Sequence, residues 1–390
     1  MALELLFLLL PVAALSGWWV GKRRMLSSPT LKLTPQFSTQ YFQGLNYLIN
    51  EQPDKAIDVF IKMLEVDCET VETHFTLANL FRRRGEVDRA IRIHQNLIAR
   101  PTLSQEQRAQ ALYELGLDYM RAGILGRAEG LFLELVEDHA KNVQALEQLI
   151  DIYQQEKDWD KAITTLQKYI TVTGRGQQSV IAQYYCELAE DARYAGDFDR
   201  ATKMLRQALA SDKGCVRASI LEGKYATEKG DLKVALRAYK RVEHQDLDYL
   251  PEIIEPLIEC SRKIGKLDEI VEYLNNILVE HGGISVMLAL AEIIRQRDGD
   301  QVAANFITEQ LRKKPSVRGL HRLIELNLSM SHGDARENLL ILRDLTTKLL
   351  KNRSIYKCNQ CGFSGKSLHW HCPGCKSWNS IKPIQGVEGE

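Results

Sequence analysis

The sequence predicts an all-α protein in which a solenoid of helical pairs lies between an N-terminal transmembrane helix and a small C-terminal metal module. Three observations lead to this prediction. They are an apolar run near residue 1, a 34-residue spacing of small residues through most of the chain, and two Cys-x-x-Cys pairs near its end. The expected boundaries are 1–21 for the transmembrane anchor, 22–36 for a linker, 37–350 for the solenoid and 355–384 for the metal module.

The transmembrane helix is predicted from an apolar run between Leu3 and Val20, in which Glu4 is the only charged residue. At about 1.5 Å per residue such a helix is roughly 27 Å long, close to the hydrocarbon thickness of about 30 Å. The adjacent Trp18 and Trp19 suit the headgroup region, and the basic residues 22–24 suit the cytoplasmic side of a membrane. We therefore expect a single-pass span with its N-terminus outside and the rest of the chain in the cytoplasm. A cleaved signal peptide or a buried helix are the alternatives.

The solenoid is predicted from the regular return of small residues. Ala56 and Ala90 are 34 residues apart, as are Ala128 and Ala162. This is the tetratricopeptide period, in which each unit is a pair of helices called A and B. Small residues recur where helix A meets helix B closely, and larger residues fill the space between. The small residues are Gly44, Ala78, Gly116, Ala189 and Gly223. The large residues are Phe60, Phe132, Leu166, Leu205, Tyr239 and Leu274.

Repeat quality falls after Leu250, where Ile270 replaces the expected small residue. We count six clear repeats, about two degenerate repeats up to Pro315, and a final helical segment over residues 317–350. Weak terminal repeats are expected because the end of a solenoid needs a cap. The metal module follows directly and is expected to help cover that end.

The metal module is predicted from Cys358, Cys361, Cys372 and Cys375. Each Cys-x-x-Cys pair forms a knuckle that brings two sulfurs to one ion at about 2.3 Å, so two pairs supply a closed tetrahedral site. The intervening loop is shorter than the 15–20 residues that are roughly usual for zinc ribbons. One iron or zinc ion is expected, because both accept four sulfurs in this geometry. His369 and His371 are alternative ligands, or they pack beside the second knuckle.

Composition excludes some function classes. The 51 basic residues equal the 51 acidic residues, so no global field favours nucleic acid as a partner. The remaining cysteines are scattered and are expected to be small buried thiols, which together with a thiolate metal site favours a reducing compartment. They are Cys68, Cys186, Cys215 and Cys260. We find no phosphate-binding, zinc-protease, serine-hydrolase or kinase motif, and so predict no enzymatic activity.

Six residues occupy helix A positions that usually face the concave groove of such a solenoid, and they are candidates for binding a partner. These are Phe75, Asn79, Arg82, Tyr113, Leu117 and Met120. Arg82 also belongs to a basic cluster that extends to Arg92, for which a solvated helix face is the alternative.

Two stretches carry a resemblance to a known family. They are residues 80–95, with the sequence LFRRRGEVDRAIRIHQ, and the cysteine block with Trp370-His371 before Cys372 and Trp378 after Cys375. Together with the apolar N-terminus they resemble the lipopolysaccharide assembly protein B family of Gram-negative bacteria, over essentially the whole chain.

The resemblance implies a non-catalytic adaptor in the bacterial inner membrane, with its N-terminus in the periplasm. In that family the protein regulates lipid A synthesis by promoting proteolysis of the deacetylase LpxC by the membrane protease FtsH. It also gathers other lipopolysaccharide biosynthetic or regulatory membrane proteins. The terminal module is rubredoxin-like and packs on the repeats, which makes the four cysteines its metal ligands.

Two features depart from true rubredoxins. The gap between the cysteine pairs is shorter, and Lys376 stands where their second knuckle has glycine. Both argue against electron transfer. A redox carrier or sensor that uses the four-cysteine centre, with the repeats as a docking surface, is the alternative function.

Overall fold

A computed structural model describes residues 35–50, 52–66, 71–137, 142–351, 353–387 and 389. Within these ranges the chain forms eighteen α-helices, one short 3₁₀ turn at Leu247–Tyr249 and three short strands. The elements are α1 Pro35–Ile49, α2 Pro53–Val66, α3 Val71–Arg84, α4 Val87–Ile98, α5 Gln105–Arg121, α6 Leu125–Glu137, α7 Asn142–Glu156, α8 Trp159–Thr173, α9 Gln178–Tyr194, α10 Phe198–Ser211, α11 Val216–Lys229, α12 Leu232–Gln245, α13 Pro251–Ile264, α14 Leu267–Glu280, α15 Ile284–Asp298, α16 Asp300–Lys313, α17 Val317–Met330, α18 Asp334–Lys351, β1 Tyr356–Cys358, β2 Ser364–Gly365 and β3 Ile381–Pro383.

The chain divides into two compact units, Met1–Ala145 and Leu146–Glu390, and the boundary falls within α7. In the first unit α1 packs on α2, α3 on α4 and α5 on α6. In the second unit α9 packs on α10, and the same pairing recurs up to α17 and α18. The prediction of an all-α repeat solenoid followed by a cysteine module is confirmed.

Close helix packing in the first unit explains its small residues. A Cβ atom on Gly44 would lie 2.6 Å from the ring of Phe60, and a Cβ on Gly116 would lie 2.6 Å from the ring of Phe132. Both rings are fully buried. Real Cβ atoms do not approach a ring this closely, so each glycine allows helix B to lie directly against helix A. The predicted pairing of small and large residues is therefore confirmed at both sites.

The second unit repeats this packing between Gly223 and Tyr239 and extends it beyond Leu250. Ile270, which replaces a small residue, is buried in a core shared by α11 to α15. Pro251 begins α13, where its missing N–H group costs no intrahelical hydrogen bond. The repeats that look degenerate in sequence are thus regular helical pairs in the structure.

The metal module is a three-stranded antiparallel sheet with strand order β2-β1-β3. Tyr356 pairs with Gly365 on one side, and Cys358 pairs with Ile381 on the other. This register places Cys358 at the end of the central strand, where the chain turns into the first cysteine pair.

The predicted anchor at 1–21 and most of the linker lie outside the described residues, as does Cys68. Within the part of the chain that the structure describes, no helix combines the length and apolarity needed to cross a bilayer.

Candidate metal centre and its docking surface

The four cysteines of the module come together in the structure. Their Sγ atoms all lie within 4.8 Å of one another. Cys358 Sγ lies 3.7 Å from Cys375 Sγ, and Cys361 Sγ lies 3.7 Å from Cys372 Sγ. Four thiolates at about 2.3 Å from one ion stand about 3.8 Å apart in a tetrahedron. The sulfur cluster therefore has the dimensions of a four-thiolate site and fits one iron or zinc ion.

The two knuckles have the same backbone hydrogen bonds. The Gly362 N–H donates to the Cys358 carbonyl at 3.0 Å, and the Lys376 N–H donates to the Cys372 carbonyl at 2.9 Å. Gly362 has φ of +78° and Lys376 has φ of +61°. Lys376 therefore adopts the left-handed conformation that its glycine counterpart adopts without strain. The departure from rubredoxins at Lys376 changes the residue but keeps the knuckle.

Hydrogen bonds at the cluster favour thiolates at two of the sulfurs. Ser380 Oγ lies 3.3 Å from Cys358 Sγ, and this hydroxyl, with nearby backbone amides, lowers the pKa of Cys358 to about 6. The side chain and amide of Ser377 lower the pKa of Cys375. The Phe363 amide also lowers the pKa of Cys361, but burial and the neighbouring sulfurs together raise it to about 11. Because four thiolates repel one another, a cation is needed to hold them all deprotonated.

The two histidines of the module lie outside the sulfur cluster. The His371 ring stacks on Trp378 at 4.4 Å between centroids, and its Nε2 donates to the Lys376 carbonyl at 2.8 Å. Burial lowers the pKa of His371. Nε2 of His369 lies 3.1 Å from the Ser367 hydroxyl. The sequence left two interpretations of His369 and His371, as metal ligands or as residues packed beside the second knuckle. This geometry matches the second.

Trp378 attaches one side of the module to the helices. Its ring meets Trp159 edge-to-face at 6.1 Å and Tyr184 edge-to-face at 5.7 Å. Its Nε1 donates to Gln154 Oε1 at 2.9 Å. An aromatic ring with a polar tip suits a surface that is apolar below and polar at its rim. Helices α7, α8 and α9 thus provide an aromatic socket for Trp378.

Trp370 attaches the other side of the module. It stacks on Tyr249 at 5.3 Å between centroids, and the guanidinium of Arg217 lies 6.0 Å from the Trp370 ring. The Tyr249 hydroxyl donates to the Ile381 carbonyl at 2.9 Å. Burial raises the pKa of Tyr249 well above its usual value, so this hydroxyl keeps its proton for that bond.

Charged groups fix the module at its edge. Lys382 Nζ lies 2.8 Å from carboxylate oxygens of both Asp246 and Asp248. Burial opposes the charge on Lys382, but the two aspartates raise its pKa. The Tyr356 hydroxyl donates to Glu252 at 2.5 Å. These contacts join β1 and β3 to the turn before α13 and to α13 itself.

The module meets the end of the solenoid, as the sequence led us to expect, but it also packs on helices far from that end. Its aromatic contacts lie on α7 to α9 and beside the 3₁₀ turn. At the end of the solenoid, Lys366 Nζ donates to the Lys351 carbonyl of α18 at 3.0 Å, and the Val317 N–H of α17 donates to the Val387 carbonyl at 2.9 Å. The reason is the socket residues Trp159, Tyr184 and Tyr249, which sequence reasoning did not identify. The available signal was two tryptophans in a module too small to bury them internally.

The groove candidates of the first unit are all partly exposed, and Arg82 is the most constrained of them. Its guanidinium donates to Asn79 at 2.6 Å, to Glu114 at 2.5 Å and to Asp118 at 2.9 Å. The second oxygen of Asp118 lies 2.6 Å from Nδ1 of the fully buried His94. Arg82 therefore links α3 to α5. Phe75, Tyr113, Leu117 and Met120 present partly exposed apolar surface.

Comparisons with known proteins agree with this architecture. Tetratricopeptide repeat models match residues 73–109, 113–179 and 186–247, and a model described as a rubredoxin metal binding domain matches residues 356–383. The chain is 42% identical to lipopolysaccharide assembly protein B of Escherichia coli K12 over 388 residues, which is 99% of this chain and 100% of that protein. The chain belongs to the lipopolysaccharide assembly protein B family.

A more distant member of the lipopolysaccharide assembly protein B family, from Haemophilus influenzae, is 36% identical over 396 residues, with 99% of each chain covered. Among solved structures, the complex of Naa15 and Naa10 bound to HypK-THB has a TM-score of 0.43 and 14% identity, covering 81% of this chain and 47% of that one. The family resemblance inferred from residues 80–95 and the cysteine block is therefore confirmed, and a role in lipopolysaccharide regulation follows from it.

Proposed function

We propose that this chain is a non-catalytic, membrane-anchored adaptor that regulates lipid A biosynthesis by presenting LpxC to the protease FtsH. Residues 1–21 anchor it in the bacterial inner membrane, with the N-terminus in the periplasm and the repeats in the cytoplasm. Other lipopolysaccharide biosynthetic or regulatory membrane proteins are further partners. The observation that carries the proposal is a tetratricopeptide array, matched by family models between residues 73 and 247, in a member of the lipopolysaccharide assembly protein B family.

The helical pairs support a binding role because they expose extended helix surface and no catalytic constellation was found in the sequence. Candidate partner contacts are Phe75, Asn79, Tyr113, Leu117 and Met120, which lie on α3 and α5, the two helices that Arg82 links. Aromatic and aliphatic side chains of this kind are the usual anchors of protein interfaces.

The metal supports this role by stabilising the module. We assign Cys358, Cys361, Cys372 and Cys375 as the ligands of one iron or zinc ion. A closed four-thiolate site contributes its binding free energy to folding. The ion thereby holds Trp370 and Trp378 in the orientation that packs on the helices.

Co-purification tests the proposal. The full-length tagged chain, extracted from membranes after crosslinking, is expected to retain both FtsH and LpxC. Replacing Leu117 by glutamate is expected to reduce recovery of FtsH or LpxC. Replacing the exposed Tyr194 by alanine is expected to leave the recovery of both unchanged. Capture of neither protein would refute the proposal. LpxC levels in cells that carry the chain without residues 1–21 test the anchor, and normal control of LpxC would refute its role.

A further inference from the structure

The last helix, α18, has an apolar outer face. Ile341, Leu342, Leu345 and Leu349 are each about half exposed, at 58%, 48%, 51% and 53%. At 100° per residue these four side chains form one stripe along the helix. Within the described residues, no other helix has as many large aliphatic side chains exposed on one face.

This stripe conflicts with the position of α18 in the fold. The opposite face of α18, which includes the buried Thr346, packs on α17. Because α18 ends the run of helical pairs, no further helix among the described residues covers its outer face, and a terminal helix normally has a polar outer face. Four large aliphatic side chains on that face indicate an interaction surface.

The charges beside the stripe identify its occupant. Glu337 and Asp344 lie along one edge of the stripe towards the start of α18, and Lys348 and Lys351 lie along the same edge towards its end. When two copies of a helix pair antiparallel, the same edges face each other. With Leu345 at the centre, Glu337 then lies opposite Lys351 of the second copy, and Asp344 opposite Lys348 of the second copy. In a parallel pair this edge would face the opposite edge of the second helix, so these four charges would not pair with one another.

We propose that α18 mediates self-association, with a second copy of this chain packing antiparallel on the stripe from Ile341 to Leu349. The two aliphatic stripes cover each other, and the edge charges select the antiparallel register. A contact of one helix face is smaller than the roughly 800 Å² per partner of a stable complex, so the dimer is weak and reversible. We expect a dissociation constant on the order of micromolar.

Sedimentation of the full-length chain in detergent tests the association. The wild-type chain is expected to dimerise with increasing concentration, and Leu345→Glu is expected to remain monomeric. Val279→Glu is the matched control, because Val279 is 85% exposed on α14, away from the stripe. Two results would overturn the proposal: a monomeric wild type at all concentrations, or a dimer that Leu345→Glu leaves intact. Loss of binding to lipid vesicles in Leu345→Glu without a change in dimerisation would assign the stripe to a membrane surface instead.

Charge reversal and crosslinking test the register. Glu337→Lys or Lys351→Glu alone is expected to weaken the dimer about three- to ten-fold, and the double variant is expected to restore it. A mixture of Ile341→Cys and Leu349→Cys chains is expected to crosslink as a heterodimer, because these positions adjoin only in the antiparallel pair. Failure of the double variant to recover, or preferential crosslinking of Ile341→Cys to itself, would refute the antiparallel arrangement.

Discussion

Replacing Trp378 by alanine removes the side chain that fills the socket on α7 to α9. The change deletes two edge-to-face contacts, with Trp159 and Tyr184, each worth about 0.5–1.5 kcal/mol. It also deletes the hydrogen bond to Gln154, worth about 1 kcal/mol. The sum is about 2–4 kcal/mol, at the lower end of and overlapping the cost of about 3–5 kcal/mol for truncating a fully buried tryptophan. This is consistent with a Trp378 ring that remains partly exposed to solvent.

Hydrogen–deuterium exchange measures this loss locally. The amide of Cys358, which donates to the Phe363 carbonyl, and the amide of Asn379, which donates to the Trp370 carbonyl, report on opening of the module. A loss of 2–4 kcal/mol corresponds to exchange that is faster by a factor of about 30 to 1,000 if the module opens by itself. Amides in the helices of the first unit are expected to keep their protection.

The control for this experiment is Tyr194→Ala, which removes an aromatic ring that is 87% exposed on α9. It is expected to leave exchange of the module unchanged. If Trp378→Ala also leaves exchange of residues 356–383 unchanged, the docking contacts contribute little, and the module is stabilised by its own sheet and metal alone. That result would refute the role we assign to the aromatic socket.

Further substitutions test the site and the fold. Cys372→Ser is expected to release the metal, measured by elemental analysis, whereas Cys260→Ser, a buried thiol outside the cluster, is expected to retain it. Visible absorption of protein purified without added metal distinguishes the red iron form from the colourless zinc form. An iron absorption that disappears on reduction and returns on oxidation would favour the redox alternative. Lys376→Gly is expected to raise the free energy of unfolding by about 0.5–1 kcal/mol by relieving the φ of +61°, and a decrease in denaturant titration would contradict this. Gly116→Ala is expected to lower the free energy of unfolding by about 1–3 kcal/mol, because its Cβ would lie 2.6 Å from the buried Phe132 ring. Gly130→Ala is the control and is expected not to lower this free energy, because no neighbouring atom lies within 4 Å of its Cβ.

The repeat architecture could be predicted because small residues must return at a fixed spacing wherever two helices are in close contact. Gly44 and Gly116 admit no side chain against Phe60 and Phe132, so the spacing of small and large residues directly reflects helix contacts. The regular packing around Ile270 could not be predicted from this rule. A larger residue is accommodated there by the neighbouring side chains of the shared core, and such compensation leaves no periodic signal.

The cysteine cluster was predictable for a different reason. Each Cys-x-x-Cys pair is a local turn, and the two turns need only a short hairpin to meet. The docking of the module was not predictable, because its contacts join residues far apart in the chain. Gln154 and Trp378 are 224 positions apart, and Tyr249 and Ile381 are 132 apart. Two tryptophans in so small a module indicate that it packs on another part of the chain, but they do not identify the helices that receive it.

Metal binding and docking are expected to depend on each other, because the module has almost no core of its own. Its buried hydrophobic cluster consists of Cys358, Cys372 and Ile381, and two of these are proposed ligands. Loss of the ion therefore leaves little to hold Trp378 in its socket, and loss of Trp378 leaves little to hold the knuckles around the ion. Such coupling is reciprocal in free energy. We expect Trp378→Ala to weaken metal retention by at most the factor by which metal removal weakens docking, since the contacts of Trp370 and Lys382 remain in this variant.

Two titrations compare these factors. Competition with a chelator gives the change in metal affinity caused by Trp378→Ala, and exchange of module amides with and without metal gives the change in docking. Tyr194→Ala again serves as the control, because its ring contributes to neither the module nor the socket. If metal affinity is unaffected by Trp378→Ala, the knuckles are stable without the helices. The ion would then act only within residues 356–383 and could not stabilise the helix surface on which the module packs.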